Sequence, residues 1–396
     1  MGKMMRALGL MSGTSMDGID VALIATDGEM ALERQASGTA PYDAAFRAWL
    51  VQAIGDAREL TDRRARPGCL DAVERELTQR HAAAVARFLE EQGLQPADVD
   101  VIGFHGQTVL HKSMTANVTK LSQPKAILGP PVVTVVEERR TLTVQIGDGA
   151  ELARRTAIDV VWDLRAADVA AGGQGAPLAP VYHRALAAKL PDRPVAVVNV
   201  GGVANVTWIG DGGSLLAFDT GPGNALIDDW MLRHTGRAMD SEGSAAASGR
   251  VQGHALTELF INDYFGRLPP KSLDRNAFSM DAVEGLSLAD GAATLTAFTA
   301  SAIGRAREHF PEEPRLWIVC GGGRRNKTLM AMIAARVNSA VAPAEAAGFH
   351  GDAVEAEAWA YLAVRSLNGL PITFPGTTGV REPTPGGVLA QSGGRR

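Results

Sequence analysis

The sequence predicts an α/β protein built from two like domains, and two features carry that prediction. A glycine-rich hairpin pattern occurs twice, about half a chain apart. Leu8-Gly9-Leu10-Met11-Ser12-Gly13-Thr14-Ser15-Met16-Asp17-Gly18 runs into Ile19-Asp20-Val21-Ala22, and Val198-Asn199-Val200-Gly201-Gly202-Val203-Ala204-Asn205 runs into Val206-Thr207-Trp208-Ile209. Each reads as an apolar strand, a tight turn of small polar residues, a second strand and a closing Asp-Gly turn, at Asp27-Gly28 or Asp211-Gly212. Around the hairpins, short apolar runs alternate with stretches of helical spacing, which is the mark of α/β architecture. Backbone amides in such Gly/Ser/Thr turns are unhindered and converge readily on an anion. Two of them imply a polyphosphate gripped from opposite sides.

The elements follow in order. Residues 43–54 and 69–92 are expected as helices; in the second, Leu70, Val73, Leu77, Val85, Phe88 and Leu89 fall at helical spacing among charges. Residues 100–104 form a short strand opening into the polar loop His105-Gly106-Gln107-Thr108. Residues 113–137 are polar and Thr-rich, with Pro124, Pro130 and Pro131, and read as an insertion leaving the domain. Residues 142–146 are a strand ending at Gly147-Asp148-Gly149, before a helix from Ala150. Residues 160–164 lead into Arg165-Ala166-Ala167-Asp168 and a crowded glycine segment reaching Leu178. That segment is a natural crossing, so an N-terminal domain is expected over 1–165 and a C-terminal one over 166–396. In the second half, strands at 215–218 and 316–319 enter Asp219-Thr220-Gly221-Pro222-Gly223-Asn224 and Cys320-Gly321-Gly322-Gly323. Helices are expected at 225–234, 290–309, 326–337 and 353–367.

Composition narrows the class. With 46% hydrophobic and 21% charged residues in 396, a large core is available. A net charge of −5 argues against nucleic acid or an anionic membrane as partner. Only Cys69 and Cys320 occur, so neither a disulfide framework nor a cysteine zinc site is expected. No secretion signal or membrane-length apolar run is seen, and the cytoplasm is the expected location. The P-loop, the Gly-x-Gly-x-x-Gly fingerprint and the Gly-x-Ser-x-Gly elbow are absent.

What remains is four strand-to-glycine-loop transitions, at 12–18, 199–205, 219–224 and 320–323. Each alone is an ordinary turn. Together, in this order, they point to the actin, hexokinase and Hsp70 superfamily and to ATP-dependent phosphoryl transfer. The chain resembles the anhydro-N-acetylmuramic acid kinases of bacterial cell-wall recycling along nearly its whole length. The resemblance rests on residues 9–18, His105-Gly106-Gln107-Thr108, Gln145-Ile146-Gly147-Asp148 and Arg165-Ala166-Ala167-Asp168, and on all three second-half glycine loops. Pro270-Lys271-Ser272-Leu273-Asp274-Arg275, Val354-Glu355-Ala356 and Thr377-Thr378-Gly379 also match. The segment 113–137 departs from the family, which has a short connection there.

The resemblance implies two actin-like (ribonuclease H-like) domains around an ATP and sugar cleft. It implies a reaction in which water adds at C1 of the anhydro sugar while O6 receives the γ-phosphoryl group. Asp168 is then the base, with a helix cap as its bland alternative; Glu355 assists or binds sugar, unless it is a solvated helix charge. Gly13, Thr14, Ser15, Met16, Asp17, Gly18, Ile19 and Asp20 form the first phosphate turn, and Gly201, Gly202 and Asn205 the second. Asp219, Gly221 and Gly223 complete the nucleotide side, with Gly321, Gly322, Gly323 and Asn326 under the adenosine. His105, Gln107 and Asp148 fall to the sugar. Asp17 is the expected holder of hydrated Mg²⁺, or else a plain turn aspartate. The partners implied are ATP and a small sugar, with a homodimer as the assembly to test. Two rivals are a kinase of an open amino sugar and a non-catalytic actin-like scaffold. The carboxylates Asp17, Asp168 and Asp219 argue against the scaffold.

Overall fold

The structure, a computed structural model, describes residues 2–13, 15–122, 132–191, 193–274 and 277–393, the side chains of 113–122 and 132–140 excepted. Its strands are β1 (Met5–Ser12), β2 (Gly18–Thr26), β3 (Leu32–Pro41), β4 (Val101–Ser122), β5 (Val132–Ile146), β6 (Val160–Trp162), β7 (Val195–Val200), β8 (Val203–Ile209), β9 (Leu215–Pro222), β10 (Leu316–Cys320), β11 (Ala340–Pro343) and β12 (Val388–Ala390). They form two sheets, ordered β12-β6-β4-β1-β2-β3, with β5 beside β4, and β11-β10-β7-β8-β9.

The two sheets share one plan. In the first, β1, β2 and β3 run antiparallel while β4 and β6 lie parallel to β1. In the second, β7, β8 and β9 run antiparallel while β10 and β11 lie parallel to β7. The repeated glycine hairpins are therefore the first two strands of two topologically equivalent units, the actin-like arrangement.

Each sheet has an outer and an inner layer. Helices Ala44–Ala57 and Leu70–Glu91 bury Leu50, Leu77 and Phe88 against Leu8 and Ile102 of the first sheet. Helices Leu288–Arg305 and Lys327–Ala334 bury Ile303, Leu329 and Ile333 against Val198 and Val319 of the second. Between the sheets lie helices Pro180–Ala187 and Val354–Leu367, whose Tyr182, Tyr361 and Leu362 share one core with Ala7 and Ile318. The Tyr182 hydroxyl donates to Glu357 Oε2 at 2.6 Å, joining the two inner helices. Glycine lets the last helix lie directly on the sheet. A Cβ at Gly9 would stand 1.7 Å from the Ala356 carbonyl oxygen, and one at Gly103 2.0 Å from that of Trp359.

Three elements differ from expectation. β3 was hidden by its polar sequence, because it is an edge strand with mostly part-buried or exposed side chains. The segment expected to leave the domain instead continues β4 and β5 as an antiparallel ribbon, pairing Ser113 with Thr141 and Ser122 with Val132. Its Thr and Val residues suit a pleated strand; residues 123–131 lie outside the described residues. Finally, β12 pairs with β6, so residues 388–390 return to the first sheet although they follow the crossing at Ala166.

Candidate active site between the two sheets

A cleft of about 280 Å³ opens between the sheets, with Met11, Arg165, Asn199, Asp219, Gly322 and Glu355 on its walls. Asn205 lines it too, opposite Asn199 in the β7–β8 ladder. Glu355 stands in the first turn of helix Val354–Leu367, where a negative charge suits the helix dipole. Its Oε1 accepts a 3.0 Å hydrogen bond from Asn199 Nδ2. Glu355 is open to water on the cleft wall, while the protein mass around it withdraws part of its hydration. That desolvation, with Asp20 facing it, pushes its carboxyl above the usual range, while Arg165 and Asn199 oppose the shift. Asp20 is raised likewise by burial, against a 2.7 Å bond from Thr39.

The first turn is braced from behind. Met16 takes a left-handed conformation (φ 54°), and its N–H donates to the Gly13 carbonyl at 3.1 Å. Ser15 Oγ donates to Asp17 Oδ1 at 2.7 Å, and Thr14 lies outside the described residues. Gln107, expected beside the sugar, is fully buried: its Oε1 accepts from Ser12 Oγ at 2.7 Å and its Nε2 donates to the Gly13 carbonyl at 3.2 Å. It positions the turn. Ile19 is 1% exposed, so its side chain belongs to the core of the first domain, and Gly18 is buried against β3.

The second turn is tied to the end of β9. The Asn224 N–H donates to the Gly201 carbonyl at 2.7 Å and the Gly223 N–H to that of Gly202 at 2.9 Å. Gly221 and Gly223 are buried at this junction. The three glycines after β10 divide the work. Gly321 is left-handed (φ 71°), Gly322 opens onto the cleft, and Gly323 is packed on Val200. Asn326 is likewise a cap: its Oδ1 accepts from the Leu329 N–H at 2.8 Å, starting helix Lys327–Ala334. Asp148 caps helix Gly149–Thr156 through the Ala150 and Glu151 N–H groups, so its expected sugar role has no support in its contacts.

Asp168 sits in the short helix Ala166–Ala170, buried beneath the glycine segment. Its Oδ2 accepts from the Gly175 N–H at 2.6 Å and its Oδ1 from Thr378 Oγ1 at 2.6 Å. It does not cap its own helix; the cap position is Arg165. Both oxygens are oriented by these donors, and each retains a second lone pair.

Arg165 lines the cleft, although sequence reasoning left it as mere motif. Among the described residues its guanidinium bonds only neutral acceptors, the Gly175 carbonyl at 2.6 Å and His105 Nε2 at 3.0 Å. Burial lowers its pKa to about 10, with Glu355, Asp168 and Asp219 pulling the other way. Because Nε2 accepts, the network assigns the His105 proton to Nδ1. Burial first, then Arg165, holds that ring neutral, far below its ordinary pKa. His105 also stacks on Trp359, with centroids 4.4 Å apart. The signal for Trp359 was its spacing: four residues after Glu355, it shares that face of the helix. On the opposite wall, Asp219 accepts from the Leu273 N–H at 2.7 Å, and burial raises its carboxyl to about 7.

Among the described residues no group of three or more His, Cys, Asp or Glu forms a metal cage. After the larger effect of burial, Asp17 raises the Asp20 carboxyl and Asp20 raises that of Glu355. That donor set fits Mg²⁺, which keeps its waters and binds through one or two carboxylates plus phosphates. No helix among the described residues is long and apolar enough to cross a membrane.

Two equivalent α/β units enclosing a cleft lined by glycines, carboxylates and a half-buried arginine define a protein of the actin-like fold. The family model described as anhydro-N-acetylmuramic acid kinase matches residues 5–141 and 126–391. An anhydro-N-acetylmuramic acid kinase from Methylobacterium nodulans is 50% identical over 398 residues, covering 98% of this chain and all of its own. One from Rhodospirillum rubrum is 51% identical over 388 residues, covering 96% of this chain and 93% of its own. The chain belongs to the anhydro-N-acetylmuramic acid kinase family.

Proposed function

We propose that the chain opens 1,6-anhydro-N-acetylmuramic acid with water and phosphorylates it with ATP, giving N-acetylmuramic acid 6-phosphate and ADP. One observation carries the reading: about half of all residues are identical to kinases of this name across nearly the full length of both chains. Asp168 takes a proton from water, whose oxygen forms the new bond to C1. The C1–O6 bond breaks, and its electron pair on O6 attacks the γ-phosphorus as the bond to ADP breaks. The Gly175 N–H and Thr378 hydroxyl hold Asp168 in the orientation this needs. Arg165 faces the charge that develops on the transferred group, where a positioned donor in a water-poor cleft is most effective. The turns at Gly13–Asp17 and Gly201–Gly202 hold the triphosphate from either side, and Gly322 leaves room for the adenosine. Asp17 and Asp20 would hold a hydrated Mg²⁺, which would neutralise charge on the triphosphate. Glu355 orients the water or sugar at C1 through its Asn199 bond.

The test is turnover in ¹⁸O-labelled water. Label is expected at C1 of the product and none in the phosphate, because the bridging oxygen is the sugar's own O6. Asp168→Asn keeps the shape but accepts no proton, and should lose about 10²–10⁴-fold in turnover while still binding the sugar. Label in the phosphate means plain ATP hydrolysis, and an active Asn variant removes Asp168 from the role.

A further inference from the structure

A second cavity, of about 360 Å³, lies beside the first residues of β4 and the ends of β5 and β6. Its lining includes Arg63, Arg64, Arg66, His105, Trp162 and Asp163. The cavity adjoins the cleft, since Arg165 lines the cleft, His105 lines the cavity, and the two side chains are bonded to each other. Two of its three arginines are committed. Arg63 pairs with Asp163, which is held left-handed at φ 52°, and Arg66 pairs with both oxygens of Glu74 at 2.7 and 2.9 Å. Glu74 in turn accepts from the Gly147 N–H on the cavity wall at 2.8 Å. Arg64 is exposed, and its guanidinium has no carboxylate partner among the described residues. Three guanidiniums against two carboxylates leave one positive charge in excess, with His105 neutral.

We propose that this cavity is the subsite for the carboxylate of the substrate's lactyl ether, with Arg64 as the recognising cation and Trp162 as an apolar wall. The proposal rests on the acceptor named above. That sugar is a monoanion because of its lactyl group, which matches a cavity with one uncompensated charge. Arg165 is a poorer candidate, because its guanidinium is already fixed by Gly175 and His105. The fixed pairs Arg63–Asp163 and Arg66–Glu74 shape the cavity, so Arg64 alone is free to turn onto a ligand. The enzyme thereby separates acidic from neutral anhydro sugars by a contact remote from the reacting C1 and O6.

The experiment is calorimetric titration of the full chain with anhydro-N-acetylmuramic acid and with anhydro-N-acetylglucosamine, which lacks the lactyl group. Arg64→Ala is expected to weaken the acidic sugar roughly 10- to 100-fold, the loss of a charge-assisted hydrogen bond, and so to reduce the preference between the two sugars by the same factor. Arg64→Lys should recover part of it. Thermal melting checks that the exposed substitution leaves the fold intact. An unchanged preference in the Ala variant overturns the proposal, as does an equal loss for both sugars. Inorganic phosphate competing with the acidic sugar in the parent and not in the Ala variant reassigns the cavity to a phosphate. If the parent binds the acidic sugar but does not phosphorylate it, the functional reading fails while the subsite stands.

Discussion

Asn199 donates a 3.0 Å hydrogen bond from its side-chain amide to Glu355, two residues 156 positions apart in the chain. Asn199 ends in the second glycine hairpin, and Glu355 opens the helix that lies on the first sheet. The bond therefore couples the two units at the point where a triphosphate would be gripped. Asp20 of the first hairpin faces the same carboxylate, so Glu355 reports on both sides of the cleft.

Gln107 is fully buried and braces the first turn. Gln107→Leu removes one partner each of Ser12 Oγ and the Gly13 carbonyl, which keep the Tyr42 hydroxyl and the Met16 N–H, a loss of about 0.5–1.5 kcal/mol per hydrogen bond. Denaturant unfolding should show that loss, and KM for ATP should rise while KM for the sugar holds. A rise confined to the sugar would return Gln107 to the sugar site.

The glycines after β10 separate folding from binding. In Gly321→Ala, the left-handed backbone (φ 71°) and a Cβ 2.4 Å from Asn199 Oδ1 should together cost at least about 1 kcal/mol, seen as a lower melting temperature. In Gly322→Val, a Cβ meets nothing nearer than Asn224 Nδ2 at 3.8 Å, so the fold should be kept. The added side chain enters the cleft and should weaken ATP binding in calorimetry, leaving sugar binding intact. Parent-like ATP affinity in the Val variant would place the adenosine elsewhere.

Asp219 gives the empty protein a pH signature. Burial raises its carboxyl to about 7, against the Leu273 N–H and Arg165, so the folded state holds a proton that the unfolded chain releases near 4. Its stabilising contribution is complete below that unfolded value and is lost as pH rises through about 7. Asp219→Asn lacks this dependence. The melting temperature of the variant relative to the parent should therefore climb between pH 5 and pH 8. A constant difference would mean that Asp219 titrates normally.

Arg165 should prove essential to turnover. Arg165→Met removes a cleft donor and the two bonds to His105, and kcat should fall by roughly 10²-fold or more. The His105 ring, still buried, loses a repelling cation, so its NMR titration should move upward. An unshifted histidine with normal kcat would reduce Arg165 to packing.

Much of this architecture is written locally in the chain. Apolar runs, tight glycine turns and helical spacing are short-range signals, and they marked both hairpins, the loop at Asp219 and the helix carrying Glu355. β3 escaped because an edge strand needs little apolar sequence, and β12 because three residues carry no period. The site was legible only in part. That Asn326 and Asp148 cap helices, or that Gly221 and Gly223 are buried at a junction, depends on which groups surround them in space. The same holds for Gln107 reaching Gly13 across 94 positions and Arg165 reaching His105 across 60. A residue type states what chemistry is available, and by itself the sequence determined that inventory and the family to which it belongs. Only the tertiary structure decided which groups lose their water and which charges stand face to face. Those two conditions set the hydrogen-bond partners and shifted pKa values on which catalysis rests.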